Sequence, residues 1–181
     1  QLFQLSHPGF AQQSFPPLLT LDSVPNNLGL QLNAFIGRDK ELAELARLLA
    51  GDARLLTLHA PGGYGKTRLA SQLAAQLLGR FPQGVYEVDL AALASAERLP
   101  EAIASALGLQ FFGPREPWQQ VLDYLRSKQL LLVLDNFEHV MDGAPLVTEL
   151  LKAAAGVRVV VTSREPLRLA QLRGRRRDPY S

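Results

Sequence analysis

The spacing of apolar and polar positions divides the chain into alternating strand-like and helix-like stretches. In residues 39–50, Leu42, Leu45, Ala46, Leu48 and Leu49 recur at helical spacing with Lys40, Glu41, Glu44 and Arg47 between them, and Gly51 supplies a stop. Residues 54–59 (RLLTLH) form a short, largely apolar run that ends in a Pro-Gly-Gly turn, as a strand buried on both faces does. The helical period returns over 66–78 with Leu69, Ala70, Leu73, Ala74 and Leu77, closed by Gly79. A strand at 84–90, helices at 99–107 and 118–126, a strand at 130–135, a helix at 145–155 and a strand at 157–162 complete the series. Strands separated by helices pair in parallel through right-handed crossovers and are covered on both faces, so the pattern predicts an α/β fold.

The two ends lack either period. Residues 1–34 carry Pro8, Pro16, Pro17, Pro25 and Gly29 among Gln, Asn and Ser residues and read as a linker in extended coil. Its apolar residues, Leu2, Phe3, Leu5, Phe10, Phe15, Leu18, Leu19 and Leu21, are many for a freely solvated tether, which leaves docking of part of it on a neighbouring surface as the alternative. After Arg164 the pattern decays into RLAQLRGRRRDPYS, with no further strand, and residues 169–181 read as a disordered Arg-rich tail.

Length and composition sharpen this picture. A chain of 181 residues is one domain plus leftovers, and 47% hydrophobic against 20% charged residues gives it material for a core and no case for global disorder. The net charge of +2 is misleading, because Arg173, Arg175, Arg176 and Arg177 fall in the last nine residues against Asp178 alone. Without those nine residues, fifteen basic side chains face sixteen acidic ones, so direct nucleic-acid binding by this segment has no support in its charge. The absence of cysteine excludes disulfide scaffolds, thiolate zinc sites and cysteine nucleophiles, and makes cytoplasmic residence the default. The longest apolar runs, such as 130–134, are a fraction of the roughly 20 residues that span a bilayer, so no membrane partner is expected. A chain that begins at Gln1 is expected to be a piece of a longer polypeptide or a processed product.

The chemistry centres on Ala60-Pro61-Gly62-Gly63-Tyr64-Gly65-Lys66-Thr67. A phosphate-binding loop needs glycines that adopt positive φ and turn several N–H groups toward one anion, and a helix directly after it whose N-terminus adds to the same positive focus. In such a loop Lys66 reaches the β and γ phosphates and the Thr67 hydroxyl ligates Mg²⁺. One position departs from GxxxxGK followed by Ser or Thr, since Ala60 stands at the first glycine; an ordinary Gly-rich turn is the bland reading. The second element is LLLVLD, an apolar strand whose Asp135 falls 69 residues after Lys66 at the end that faces the ligand crevice in an open parallel sheet. There it would hold Mg²⁺ through water. Rapid ATPases of this architecture carry Asp or Glu next, whereas this chain has Asn136, and an amide cannot take a proton as a carboxylate does; hydrolysis is therefore expected to be weak or slow, with Glu138 the nearest substitute. Arg164, at the end of VVVTSR, offers a bidentate fork to a γ-phosphate or is a solvated loop arginine. His59 and His139 have no second ligand nearby and read as ordinary histidines.

Phe35-Ile36-Gly37-Arg38-Asp39-Lys40-Glu41, the loop APGGYGKTRLA, and the strands LLLVLDNFEHV and VVVTSREPLRL, in that order, resemble the NB-ARC type of signal-transduction ATPase, the STAND class. The likeness spans about residues 30 to 170 and lies nearest to the ATP-binding segment of large bacterial transcriptional regulators and cyclase-linked proteins. It implies a three-layer P-loop NTPase domain over 35–168, binding ATP or ADP with Mg²⁺ as a regulatory switch. Lys66, Asp135 and Arg164 would be its catalytic set, Thr67 and Asp135 its metal-binding pair, and Gly37 and Arg38 its base-side contacts. Gly62, Gly63, Tyr64, Gly65, Lys66, Thr67 and Arg68 would line the nucleotide, although Arg68 alone reads as a surface charge and Tyr64 as loop filling. Asn136 fits that family, which often has Asn after the strand aspartate. Related ATPases order their strands 5-1-4-3-2, and neither the fifth strand nor the helical and winged-helix regions follow here, so the chain is expected to be truncated after the sensor arginine. The partners implied are the nucleotide, other domains of a longer chain (effector, winged-helix or repeat domains) and a second copy of the chain. A small-molecule kinase, a fast AAA-type motor and a remnant that serves only as a docking surface are the competing readings.

Overall fold

In the computed structural model, which describes residues 24–29 and 37–167, each predicted strand and helix forms to within two residues of its expected ends. Helix α1 (Asp39–Ala50) leads into strand β1 (Leu55–His59) and helix α2 (Lys66–Leu77), followed by β2 (Val85–Asp89) and α3 (Leu99–Leu107). Helix α4 (Pro117–Leu125), strand β3 (Leu131–Asp135), helix α5 (Ala144–Ala153) and strand β4 (Arg158–Ser163) complete the order. The helices begin and end as the sequence dictates. Asp39 and Glu41 sit in the first turn of α1 and Arg47 in its last, favourably placed on the helix dipole, while Gly108 ends α3 with a φ of 65°.

The four strands among the described residues are parallel, in the order β1-β4-β3-β2, which agrees with the 1-4-3-2 part of the expected order. The two-residue period sorts each strand's side chains between the helical layers. Val85, Leu131, Val133 and Val160 pack beneath α1 and α2 with Leu69, Leu73 and Leu77, whereas Val88, Leu132, Leu134, Val159 and Val161 pack against α3, α4 and α5. Strand β3 is buried along its whole length, which is why its sequence reads as an unbroken apolar run until Asp135. The same period places Asp135 and Thr162 on the face of α2, at the C-terminal edge of the sheet.

Two features go beyond the predicted elements. Residues 137–143 wind into a 3₁₀ stretch (Phe137–Gly143) anchored by Phe137 and Val140, both buried in the core. Gly143 packs so closely there that a methyl group would lie 3.2 Å from Leu99 and 3.3 Å from Ala96. No period announces this turn, because its shape comes from Phe137 entering the core beneath it. The second feature is a strap. Residues 24–29 run along the free edge of β2, with a parallel bridge between Asn26 and Val85 and a hydrogen bond from the Val85 N–H to the Pro25 carbonyl at 3.1 Å. Asn27 acts as a surrogate strand residue, its amide donating to the Glu87 carbonyl at 2.8 Å and its oxygen accepting from the Glu87 N–H at 2.7 Å. Val24 and Leu28 pack against the α1–α2 side of the core. The remainder of the predicted linker, Phe35 and Ile36 of the first motif, and the Arg-rich tail lie outside the described residues. Among the described residues no helix is long and apolar enough to cross a membrane.

Candidate functional site

The site grows from the turn between β1 and α2. Gly63 (φ 83°) and Gly65 (φ 70°) occupy the left-handed region that side chains rarely adopt, and Gly65 stands at the N-cap of α2. Ala60, the departure from the loop pattern, has no positive φ, so its methyl group is tolerated where the pattern has glycine. The N-terminus of α2 has no side-chain cap and no acidic residue in its first turn, which leaves its N–H groups and dipole to the loop. The Lys66 ammonium folds back over the loop and donates to the carbonyls of Ala60 at 2.7 Å and Pro61 at 3.1 Å.

One turn of geometry separates this loop from the end of β3. The Thr67 hydroxyl donates to Asp135 Oδ1 at 3.0 Å, bringing together the two residues expected to share a metal. Asp135 is buried, 8% exposed, and its carboxylate is further held by the Thr162 hydroxyl on the same oxygen and by the Asn136 amide on Oδ2 at 3.2 Å. A hydroxyl and a carboxylate converging beside a glycine loop and a lysine form an oxygen-donor set of the kind Mg²⁺ prefers, so the residues present fit a magnesium nucleotide. Asn136 also donates to Asp89 Oδ1 at 3.0 Å, and its N–H donates to Thr162 Oγ1 at 3.1 Å. Its φ of 60° is positive, a conformation Asn tolerates better than most residues.

Arg164 leaves the end of β4 and lies against the loop: a methyl group at Gly62 would sit 3.8 Å from its guanidinium carbon. Glu138 holds it there, Oε1 pairing with Arg164 Nε at 3.1 Å and Oε2 accepting from the Arg164 N–H at 3.1 Å. The carboxylate that could have replaced the missing one beside Asp135 is thus committed to Arg164. On the other side of the loop, Arg38 donates to the Tyr64 carbonyl at 3.1 Å and pairs with Glu41 at 2.6 Å, and Gly37 precedes it with a φ of 94°. Tyr64 is 65% exposed on the crest of the loop, and Arg68 is exposed on α2. The fold therefore gathers Gly37, Arg38, Gly62, Gly63, Tyr64, Gly65, Lys66, Thr67, Asp135 and Arg164 around one turn, with Arg68 at its rim.

Asp89 and Glu87 escape a reading of the sequence. Asp89 ends β2 in register with Asp135, a position that a strand-terminal carboxylate in a parallel sheet could have signalled. Thr162, which the resemblance places in the sensor segment with Arg164, supports Asp135, and Glu87 lies deeper on the same face. Burial pushes the Glu87 carboxyl above the usual carboxylate range, a hydrogen bond from Ser71 opposes this, and the charge of Asp135 adds to it. Its Oε1 is buried without a hydrogen-bond partner among the described residues. Ser71 follows Thr67 by four residues, one helical turn, and so faces the same strands.

Known proteins share both the sequence and the shape. A family model described as an AAA domain matches residues 47–168. An uncharacterized protein of Mycobacterium tuberculosis is 35% identical over 177 residues, covering 94% of this chain and 44% of that protein. A proposed HTH-type transcriptional regulator of the same organism is 40% identical over 129 residues, covering 68% of this chain and 14% of the relative. The chain thus spans less than half the length of these relatives. Among solved structures, Cdc6p from Pyrobaculum aerophilum superposes with a TM-score of 0.57 at 18% identity over 81% of this chain and 42% of that one. Drosophila ORC bound to DNA gives 0.59 at 16% identity, over 73% of this chain and 38% of that one. At such identities the likeness is one of fold, an α/β domain with a four-stranded parallel sheet.

Proposed function

The chain belongs to the AAA-domain family, and from that premise we propose that it is an ATP- and ADP-binding regulatory switch of the NB-ARC, STAND-class type, with slow Mg²⁺-dependent hydrolysis at most. The observation that carries this reading is the 3.0 Å hydrogen bond between Thr67 and Asp135, which closes the phosphate loop onto the end of β3. Bound Mg²⁺ would neutralise charge on the phosphates and polarise the terminal one. Lys66 exchanges the carbonyls of Ala60 and Pro61 for β- and γ-phosphate oxygens, while Gly62, Gly63 and Gly65 let the backbone N–H groups approach. Thr67 and Asp135 would hold the metal. Arg164 senses the terminal phosphate, Gly37 and Arg38 attend the base side, and Tyr64 and Arg68 flank the bound nucleotide. Slow turnover follows from the residues beside Asp135: the Asn136 amide accepts no proton, and Glu138 is engaged with Arg164.

Residues 35–168 are the nucleotide-binding unit in this reading, with 1–34 as a linker from an upstream domain and 169–181 as an Arg-rich tail. The chain works as one part of a longer signal-transduction or transcription-regulating protein, a role supported by the likeness to a segment of an HTH-type regulator. Its partners are the nucleotide, the other domains of that protein and a second copy of itself. Calorimetric titration with ATP and ADP in the presence of Mg²⁺ tests this directly. Both should bind, and Lys66→Ala should weaken binding by at least about tenfold through loss of charge-assisted hydrogen bonds. The reading fails if there is no Mg²⁺-dependent binding that Lys66→Ala removes.

A further inference from the structure

We propose that Glu138 is a positioning residue that fixes the Arg164 guanidinium over the phosphate loop and so sets how strongly the site prefers a nucleoside triphosphate to a diphosphate. This role rests on the nucleotide-binding reading and on the assignment of Arg164 to the terminal phosphate, and it gives Glu138 a part in nucleotide preference beyond its unavailability as a base.

Four observations point the same way. Both oxygens of Glu138 are used, one on the Arg164 side chain and one on its main chain, so the carboxylate fixes the backbone at the end of β4 and the start of the side chain together. The two partners are unequally buried: the Glu138 side chain is 13% exposed and that of Arg164 66%, which makes the glutamate the anchor and the arginine the arm. The anchor is itself held, since Phe137 before it is fully buried and Val140 just after it is buried in the same 3₁₀ stretch. Finally, Glu138 takes only Nε, and among the described residues neither terminal guanidinium nitrogen has an ion-pair partner, while the group lies against Gly62. A planar fork held by its Nε edge presents its outer nitrogens for bidentate recognition of a phosphate. Without Glu138 an exposed arginine would sample many rotamers and lose that pre-organisation.

Glu138 could instead act as a base toward the attacking water, and the two roles predict different data. ATP and ADP affinities are measured by calorimetry in Mg²⁺ on the 181-residue chain, for wild type, Glu138→Ala, Glu138→Gln, Arg164→Ala and the double variant Glu138→Ala/Arg164→Ala. The expected result is an ADP affinity that all variants keep within about twofold, and an ATP affinity that falls roughly tenfold in Arg164→Ala and severalfold in Glu138→Ala. The double variant should be no worse than Arg164→Ala, because the glutamate acts through the arginine. Glu138→Gln, which keeps the shape and can still accept one of the two hydrogen bonds, should fall between, and it carries the test if the alanine variant fails to fold. Glu138→Ala or Glu138→Gln with the wild-type ATP to ADP ratio, beside an Arg164→Ala that has lost it, would overturn the positioning role alone. So would losses that multiply in the double variant, or a Glu138→Gln whose only defect is turnover. A wild-type chain that binds neither nucleotide would overturn the nucleotide-binding reading and this role with it.

Discussion

Asn136 meets two demands with one side chain. Its positive φ turns the chain out of β3, and its amide bridges Asp135 and Asp89, two carboxylates that end neighbouring strands in register. Replacing it with Asp would remove that donor and set a third negative charge between the other two. Asn136→Asp is expected to lose about 1–2 kcal/mol of stability. Urea unfolding checks this, and an unchanged midpoint would contradict the bridging role. Glu87 makes a pH prediction. A carboxyl whose folded pKa lies above its unfolded value, about 4.5, binds its proton more tightly in the native state. Its contribution to stability is therefore full below that value and is lost as pH rises through the raised one. Glu87→Gln, neutral throughout, should raise the urea midpoint relative to wild type at about pH 8 and not near pH 4; no gain at the higher pH would show that Glu87 is well solvated. At this scale the sequence was readable where a residue type is demanded by chemistry, as with Lys66, Thr67 and Asp135. It was silent on Glu87 and read Glu138 only as a substitute base, because the part of each depends on which neighbour it meets across the fold.

At the scale of elements, period and punctuation carried nearly everything, because β3 and β4 are buried on both faces and each helix presents one apolar stripe to the sheet, although β1, expected to be buried on both faces, leaves Thr57 and His59 exposed. What they could not show was structure held by tertiary contact alone. The 3₁₀ stretch after Asn136 exists because Phe137 and Val140 are buried beneath it, and the strap exists because the edge of β2 offers hydrogen bonds that Asn26 and Asn27 can meet. The packing at the strap is close: Gly84, with a φ of 108°, could not carry even a methyl group, which would come 2.3 Å from the Pro25 carbonyl. Asn27→Ala should therefore free the strap without disturbing the sheet. Hydrogen exchange should show faster exchange at the Val85 and Glu87 amides, which donate to Pro25 and Asn27, while the amides of β3 stay protected. Unchanged protection at both amides would mean that the strap does not hold this edge.

For the whole molecule, the order β1-β4-β3-β2 sets the ends of β1, β3 and β4 side by side, so that residues far apart in the chain meet at one edge. Lys66 and Thr67 arrive from the turn after β1, Asp135 and Glu138 from the turn after β3, and Arg164 from the end of β4. That convergence is a property of parallel topology and needs no long-range signal in the sequence, which is why motif order alone anticipated it. In the function proposed above, this edge binds Mg²⁺ with ATP or ADP through the loop. Titration calorimetry of wild type and Lys66→Ala, with and without Mg²⁺, tests this. Saturable binding of both nucleotides by wild type is expected, with tighter ATP binding when Mg²⁺ is present and at least a roughly tenfold loss in Lys66→Ala. No binding by wild type, or binding that survives Lys66→Ala unchanged, would contradict it.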